Sequence, residues 1–245
     1  MTEFKNIISQ ECLSQTYISQ ERRTFVKPLT VIGGYIERWM AKAAVYDGSN
    51  FIGSVPGVKG LYDLIQSTQT YKPLYVANAI NGKPVMRFDG VDNYLKVAFG
   101  ESYLQPNTIF IVYRLLDNTP ALQGIYDSDD SVSRNFMYWS KAAAEIRMGT
   151  PGGSSFNYIR PYSTSVFYNT CEFNGTSSKN YENNVLLSSG DGGPQGVSGF
   201  TFGSFNTQAL PLNGDIADII FYNRELTTAE KLINFTALKQ DYGNI

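Results

Sequence analysis

From residue 73 onward the chain is a succession of short apolar or alternating runs divided by Gly, Asn, Asp and Ser. NTIFIVYRLLD, QGIYDSDD, NFMYWSKA, AEIRMGT, SVFYNTCEFN, KNYENNVLL, GFTFGSF and GDIADIIFYN follow one another in this way. Runs of that length read as strands, and many short strands bury their apolar faces by stacking two sheets. Composition agrees: 14% aromatic and 17% charged residues, with 22 Gly and 10 Pro, favour a turn-rich sheet protein over a helical one. An Asn-Gly pair at 81–82, beside the alternating VMRFDG, marks a tight hairpin.

Two helices are expected at the flanks. In TVIGGYIERWMAKAAVY, residues Tyr35, Ile36, Trp39, Met40 and Ala43 recur at helical spacing and predict a helix over about 33–45. The following DGSNFIGSVPGVKGLYDL is turn-rich and reads as loop. In LTTAEKLINFTALKQDYGNI, Thr227 is a good N-cap and Glu230 completes a T-x-x-E capping box, predicting a helix over 227–242. Leu232, Ile233, Phe235 and Leu238 are its expected apolar side, and Gly243 its stop.

Residues 1–27 differ from the rest: polar, free of Gly and Pro, with Ser-Gln recurring every five residues at 9–10, 14–15 and 19–20. A period of five keeps no face on either a helix or a strand, so this segment reads as an extended arm. MTEFKNIISQECL shows no basic stretch followed by an apolar one, so no secretory signal is expected. No apolar run reaches the roughly 18 residues of a membrane span. Formal net charge is −2 with no Lys/Arg block, which argues against nucleic acid as a partner. Cys12 and Cys171 form no disulfide framework; reduced thiols are expected, and a pairing is left open.

Three stretches carry a family resemblance: residues 72–97 with TIFIVYR at 108–114, CEFNGTSSKNYENNVLL at 171–187, and GFTFGSFNTQALPLNGDIADIIFYNRELTTAEKLINFTALKQDYG at 199–243. Together they resemble a laminin G-like, concanavalin A-like lectin-glucanase jelly roll. The resemblance implies an all-β, two-sheet jelly-roll sandwich over residues 28–245, with the two short flanking helices and the arm 1–27 added. Such domains are similar to modules of bacteriophage structural proteins and bacterial surface proteins. The expected function is therefore a non-enzymatic virion protein (a head decoration, fibre or tail component), assembled in the host cytoplasm. Residues 1–27 would join it to other virion or assembly proteins, with self-association and host glycans as further contacts. The alternative is a carbohydrate-binding or adhesion module at a bacterial cell surface.

The chain has no histidine, which removes the commonest general base and metal ligand and the His-dependent nucleophilic mechanisms. The fold can support β-glucanase chemistry, for which a retaining enzyme needs two carboxyl groups about 5–5.5 Å apart. In GDIADII, Asp215 and Asp218 are three residues apart, and a regular strand splays them to opposite faces. Ile216 and Ile220 would then share a face with Asp218, and Ile219 and Phe221 the other with Asp215. No catalytic residue is expected. YDSDDSVSRN gathers Asp127, Asp129 and Asp130 in a predicted loop, read as a solvated turn with a calcium site as the alternative; no other cofactor is expected. Sugar binding in lectins of this fold uses aromatic platforms beside Asn and Asp, and Tyr138, Trp139, Asn157 and Tyr158 are the candidate ligand-binding residues, with core packing as the competing reading.

Overall fold

The computed structural model describes residues 30–150, 155–206 and 208–243. The expected arm and Cys12 lie outside them. The strands, numbered in chain order, form two antiparallel sheets. One has eight strands in the order β15 (Val185–Gly190), β14 (Ser178–Glu182), β13 (Phe167–Phe173), β8 (Asn107–Leu115), β17 (Asn213–Tyr222), β6 (Lys83–Asp89) and β5 (Leu74–Ile80), with β1 (Glu37–Met40) also on β17. The other has nine: β12 (Phe156–Ile159), β11 (Glu145–Gly149), β10 (Phe136–Ser140), β9 (Leu122–Asp127), β16 (Val197–Phe202), β7 (Leu95–Tyr103), β4 (Leu64–Ile65), β3 (Ile52–Val55) and β2 (Val45–Tyr46).

The sheets stack as a sandwich over an aromatic core that includes Trp39, Trp139, Phe88, Phe200, Phe202 and Phe221. A second apolar cluster lies on the outer face of the eight-stranded sheet, beneath the helix α1 (Thr228–Tyr242). That sheet is covered on both sides, which is why β8 and β17 read as almost unbroken apolar runs. Among the described residues no helix covers the outside of the nine-stranded sheet, and its strands β7 and β10 alternate. The Asn-Gly signal is correct: Asn81 and Gly82 both have positive φ, 47° and 72°, and join β5 to β6.

The first expected helix is corrected. Residues 37–40 are strand, followed by a single 3-10 turn at Ala41–Ala43 and the short β2. Strand β6 pairs only with residues 213–216 of β17, so the remainder of that edge needs partners for its backbone groups. Residues 37–40 supply them, with Arg38 opposite Ile220 and Trp39 opposite Ile219. Trp39 goes into the inter-sheet core and Arg38 to the other side. The segment read as loop also holds β3 and the start of β4, which extend the nine-stranded sheet.

The second helix is as expected at its ends. Thr227 and Glu230 form the reciprocal capping box, and Gly243 at φ 91° returns its N–H to Lys239. Its buried side is as expected in part: Leu238 is buried and Phe235 packs on the outer cluster, but Leu232 and Ile233 are exposed, and Lys231, Asn234, Ala237 and Tyr242 face the sheet. The sheet carries polar groups on that face, and the helix answers them. Lys231 Nζ reaches Glu172 (2.8 Å), Asn234 Nδ2 donates to Tyr222 (3.0 Å), and Tyr242 donates to Asp218 (3.0 Å). No helix among the described residues is long and apolar enough to cross a membrane.

Candidate functional site

Strands β10, β11 and β12 are consecutive and antiparallel, and successive residues on each turn to opposite faces. This splits both of the expected ligand pairs. Tyr138 is half-buried at the outer face and Asn157 is exposed there, while Trp139 and Tyr158 enter the core. Trp139 donates Nε1–H to the Arg160 carbonyl (3.1 Å), and Tyr158 donates to Glu182 (2.8 Å). A buried indole and phenol with their polar atoms already bonded are core groups, which corrects their expected ligand role.

Between the two outward residues stands Arg147, opposite Tyr138 on one side and Asn157 on the other. The row Tyr138–Arg147–Asn157 crosses three strands. Glu145, two residues earlier on the same face, orders it: its Oε1 accepts from Arg147 Nη2 (2.5 Å), and its Oε2 accepts from Asn157 Nδ2. The Arg147 side chain remains 40% exposed over a carboxylate that is almost wholly covered.

The face continues toward the end of β9. Phe136 stacks near Tyr138 with centroids 6.0 Å apart, and Phe205 meets Tyr138 edge-on at 5.8 Å. Gly124 makes that approach possible, since a Cβ there would lie 2.9 Å from the Phe205 ring. The guanidinium of Arg134 lies 4.9 Å from the Phe205 centroid and 5.2 Å from that of Phe136. It forks onto Asp127 through Nε (2.7 Å) and Nη2 (3.0 Å). The result is a platform of three rings flanked by two arginines.

Asp127 is therefore not a solvated loop residue; it is fully buried at the end of β9. Burial pushes its carboxyl above the usual carboxylate range, and the Arg134 fork opposes that. Asp129 Oδ1 and Asp130 Oδ2 instead each lie 2.6 Å from Ser198 Oγ. Asp130 sits below its ordinary pKa: partial burial acts upward, and hydrogen bonds from Ser198, Val132 and Ser133 outweigh it. The three aspartates do not converge, and no group of three or more His, Cys, Asp or Glu suited to a metal occurs among the described residues. Cys171 is buried with its thiol 3.1 Å from Met148 Sδ, and burial pushes the thiol up to about 12.

Asp215 and Asp218 need a further correction. A β-bulge between Ile216 and Asp218 puts one extra residue into β17. Ile216, Ile219 and Phe221 consequently face the inner core, while Ala217 and Ile220 lie in the outer cluster. Both aspartates point outward with them. Asp215 is held by Arg87 (2.8 and 3.0 Å) and Arg114 (2.8 Å), and Asp218 by Arg38 (2.9 and 2.5 Å). Their relative exposures are 0% and 1%, so neither carboxylate can meet a solvent-borne substrate. Burial raises the pKa of Asp218, against the opposing Arg38.

No family model and no curated protein matches the chain. Solved structures do match. Trypanosoma rangeli sialidase in complex with the inhibitor DANA superposes with a TM-score of 0.60 at 13% identity over 97% of this chain, and the receptor binding domain of botulinum neurotoxin D with 0.61 at 13% over 84%. The fold is a jelly-roll-like β-sandwich. The chain spans 40% of that sialidase's length and 53% of the toxin domain's, and at such identities the likeness is one of fold. A jelly-roll-like sandwich leaves broad sheet faces open to partners, and here the open outer face is the one carrying Tyr138, Arg147 and Asn157. Sequence reading missed Arg147, Glu145, Arg134 and Phe205. The alternation in EIRMG, with Glu145 and Arg147 in phase, was the available signal.

Proposed function

We propose that this protein is a non-enzymatic glycan-binding module whose contact surface is the outer face of β10, β11 and β12. The row Tyr138–Arg147–Asn157 carries the proposal. A pyranose has an apolar face that stacks on an aromatic ring and hydroxyls that take charge-assisted hydrogen bonds. Tyr138 offers the ring, while Arg147 and Asn157 offer the polar groups, both held in place by the covered carboxylate of Glu145. The absence of catalysis is supported by Asp215 and Asp218, each enclosed and paired with arginine. The setting proposed is a bacteriophage virion, in a head decoration, fibre or tail, with attachment through residues 1–27. A bacterial surface adhesion module is the alternative setting. Both settings rest on the sequence resemblance.

A glycan array probed with the wild-type chain and with Tyr138→Ala, with and without calcium, tests the reading. Calcium-independent binding that falls about tenfold or more in the variant is expected. Silence across bacterial surface sugars, or equal binding by both proteins, overturns it. Removing residues 1–27 should leave a folded domain that no longer joins its assembly, and intact incorporation overturns the attachment role.

A further inference from the structure

A cleft of about 480 Å³ opens at the end of the eight-stranded sheet, on the other layer of the sandwich from the Tyr138 face. Its volume falls in the roughly 300–1,000 Å³ range of small-molecule sites. Phe51, Leu74 and Leu116 give it apolar walls, and Arg87 is the basic residue lining it. Arg87 stands between Leu74 on β5 and Asp215 on β17, so one cross-strand row runs Leu74, Arg87, Asp215, Arg114.

The row is unevenly charged. Two guanidinium groups share the single carboxylate of Asp215. Asp215 is fully enclosed, whereas the Arg87 side chain is 34% exposed. One positive charge is therefore unmatched within the row, and the Asp215 fork holds Arg87 in a fixed orientation. Asp89 also lines the cleft; it is exposed to water, and its Oδ1 accepts from the Val91 N–H (2.8 Å). Water screens such an exposed carboxylate far more than a guanidinium set against apolar walls.

We infer that this cleft binds a six-membered ring compound bearing a carboxylate, the ring against Phe51, Leu74 and Leu116 and the acid on Arg87. The inference does not depend on the glycan reading of the opposite layer, because none of its residues belongs to that face. Asn213 also lines the cleft, and its side-chain amide suits a polar substituent on the ring. An acidic sugar and a non-sugar ring acid share the required chemistry.

Calorimetric titration of the full chain with D-glucuronate, cyclohexanecarboxylate and D-glucose tests the inference and separates the two sources. Saturable one-to-one binding of at least one acid is expected, with glucose about tenfold weaker or worse. Glucuronate binding identifies an acidic sugar, and binding of cyclohexanecarboxylate alone identifies a non-sugar acid. Arg87→Gln keeps the Arg114–Asp215 pair, and so the fold, and should weaken the acids about tenfold or more. Thr70→Trp, at the exposed rim, should block the cleft with Arg87 intact. Failure of both acids to bind, glucose binding as well as either acid, or unchanged affinity in Arg87→Gln overturns the inference. Tyr138→Ala, which removes the opposite face's ring, should leave this binding unchanged.

Discussion

Asp215 and Asp218 face the same side of β17, although three residues separate them and an unbroken strand would oppose them. One inserted residue resets the phase of the strand and delivers both carboxylates to the outer face, each into the hands of arginine. Arg38 comes from the first strand, and its fork on Asp218 fastens the chain's entry to its last strand.

That pair sets the first prediction. Arg38→Met leaves Asp218 buried with no cation and should cost about 3–5 kcal/mol. Adding Asp218→Leu should recover most of the loss, because the uncompensated charge disappears with its partner. Urea unfolding of the two variants measures both quantities. A double variant no more stable than Arg38→Met would show that the ion pair itself is not what matters.

Trp139 separates core from ligand roles. It is 1% exposed, so Trp139→Ala should lose about 3–5 kcal/mol by opening a cavity. Trp139→Phe should lose less and leave glycan binding at the wild-type level. Selective loss of binding in the folded Phe variant would return the residue to the site.

At the helix start, Glu230 is held down to about 2 by Arg224 first and by the Thr227 cap. A carboxyl with a depressed folded-state pKa gives up its proton more readily folded than unfolded. Its stabilising contribution is therefore complete above the ordinary value of 4.5 and fades as pH falls toward about 2. Carbon-detected NMR titration should find the Glu230 midpoint near the lower value, and Arg224→Ala should raise it. Thr227→Ala should cost about 1 kcal/mol at neutral pH. An ordinary Glu230 midpoint in the wild type would contradict the capping geometry.

Calcium provides a simple check on the acidic turn. Arg134 takes both oxygens of Asp127, and Asp129 and Asp130 share Ser198. Thermal melts with saturating calcium and with chelator should superimpose. A calcium-dependent rise in melting temperature that vanishes in Asp129→Asn would reinstate a metal at this turn.

Much of the sandwich was legible because strand alternation and turn chemistry are local. NG at 81–82 requires positive φ at both positions, and T-x-x-E at 227–230 satisfies orphan helix N–H groups whatever surrounds them. Tyr138 and Asn157 were found by residue type, yet Arg147 between them was not, since cross-strand neighbours are set by pairing. The helix face was misread in part for a similar reason: Lys231 and Asn234 are buried by partners on β13 and β17, Glu172 and Tyr222.

The sequence by itself determined the all-β class, the runs that hold the central strands and the caps of the closing helix. Those follow from backbone dihedrals and side-chain period, which need no distant contact. Tertiary structure alone decided that residues 37–40 are strand, because the free edge of β17 needed a partner for its backbone groups. It also decided the bulge that turns Asp215 and Asp218 to one face, and the row that joins Tyr138, Arg147 and Asn157. In each case hydrogen bonds between segments remote in sequence fix the geometry, and no local pattern encodes their register.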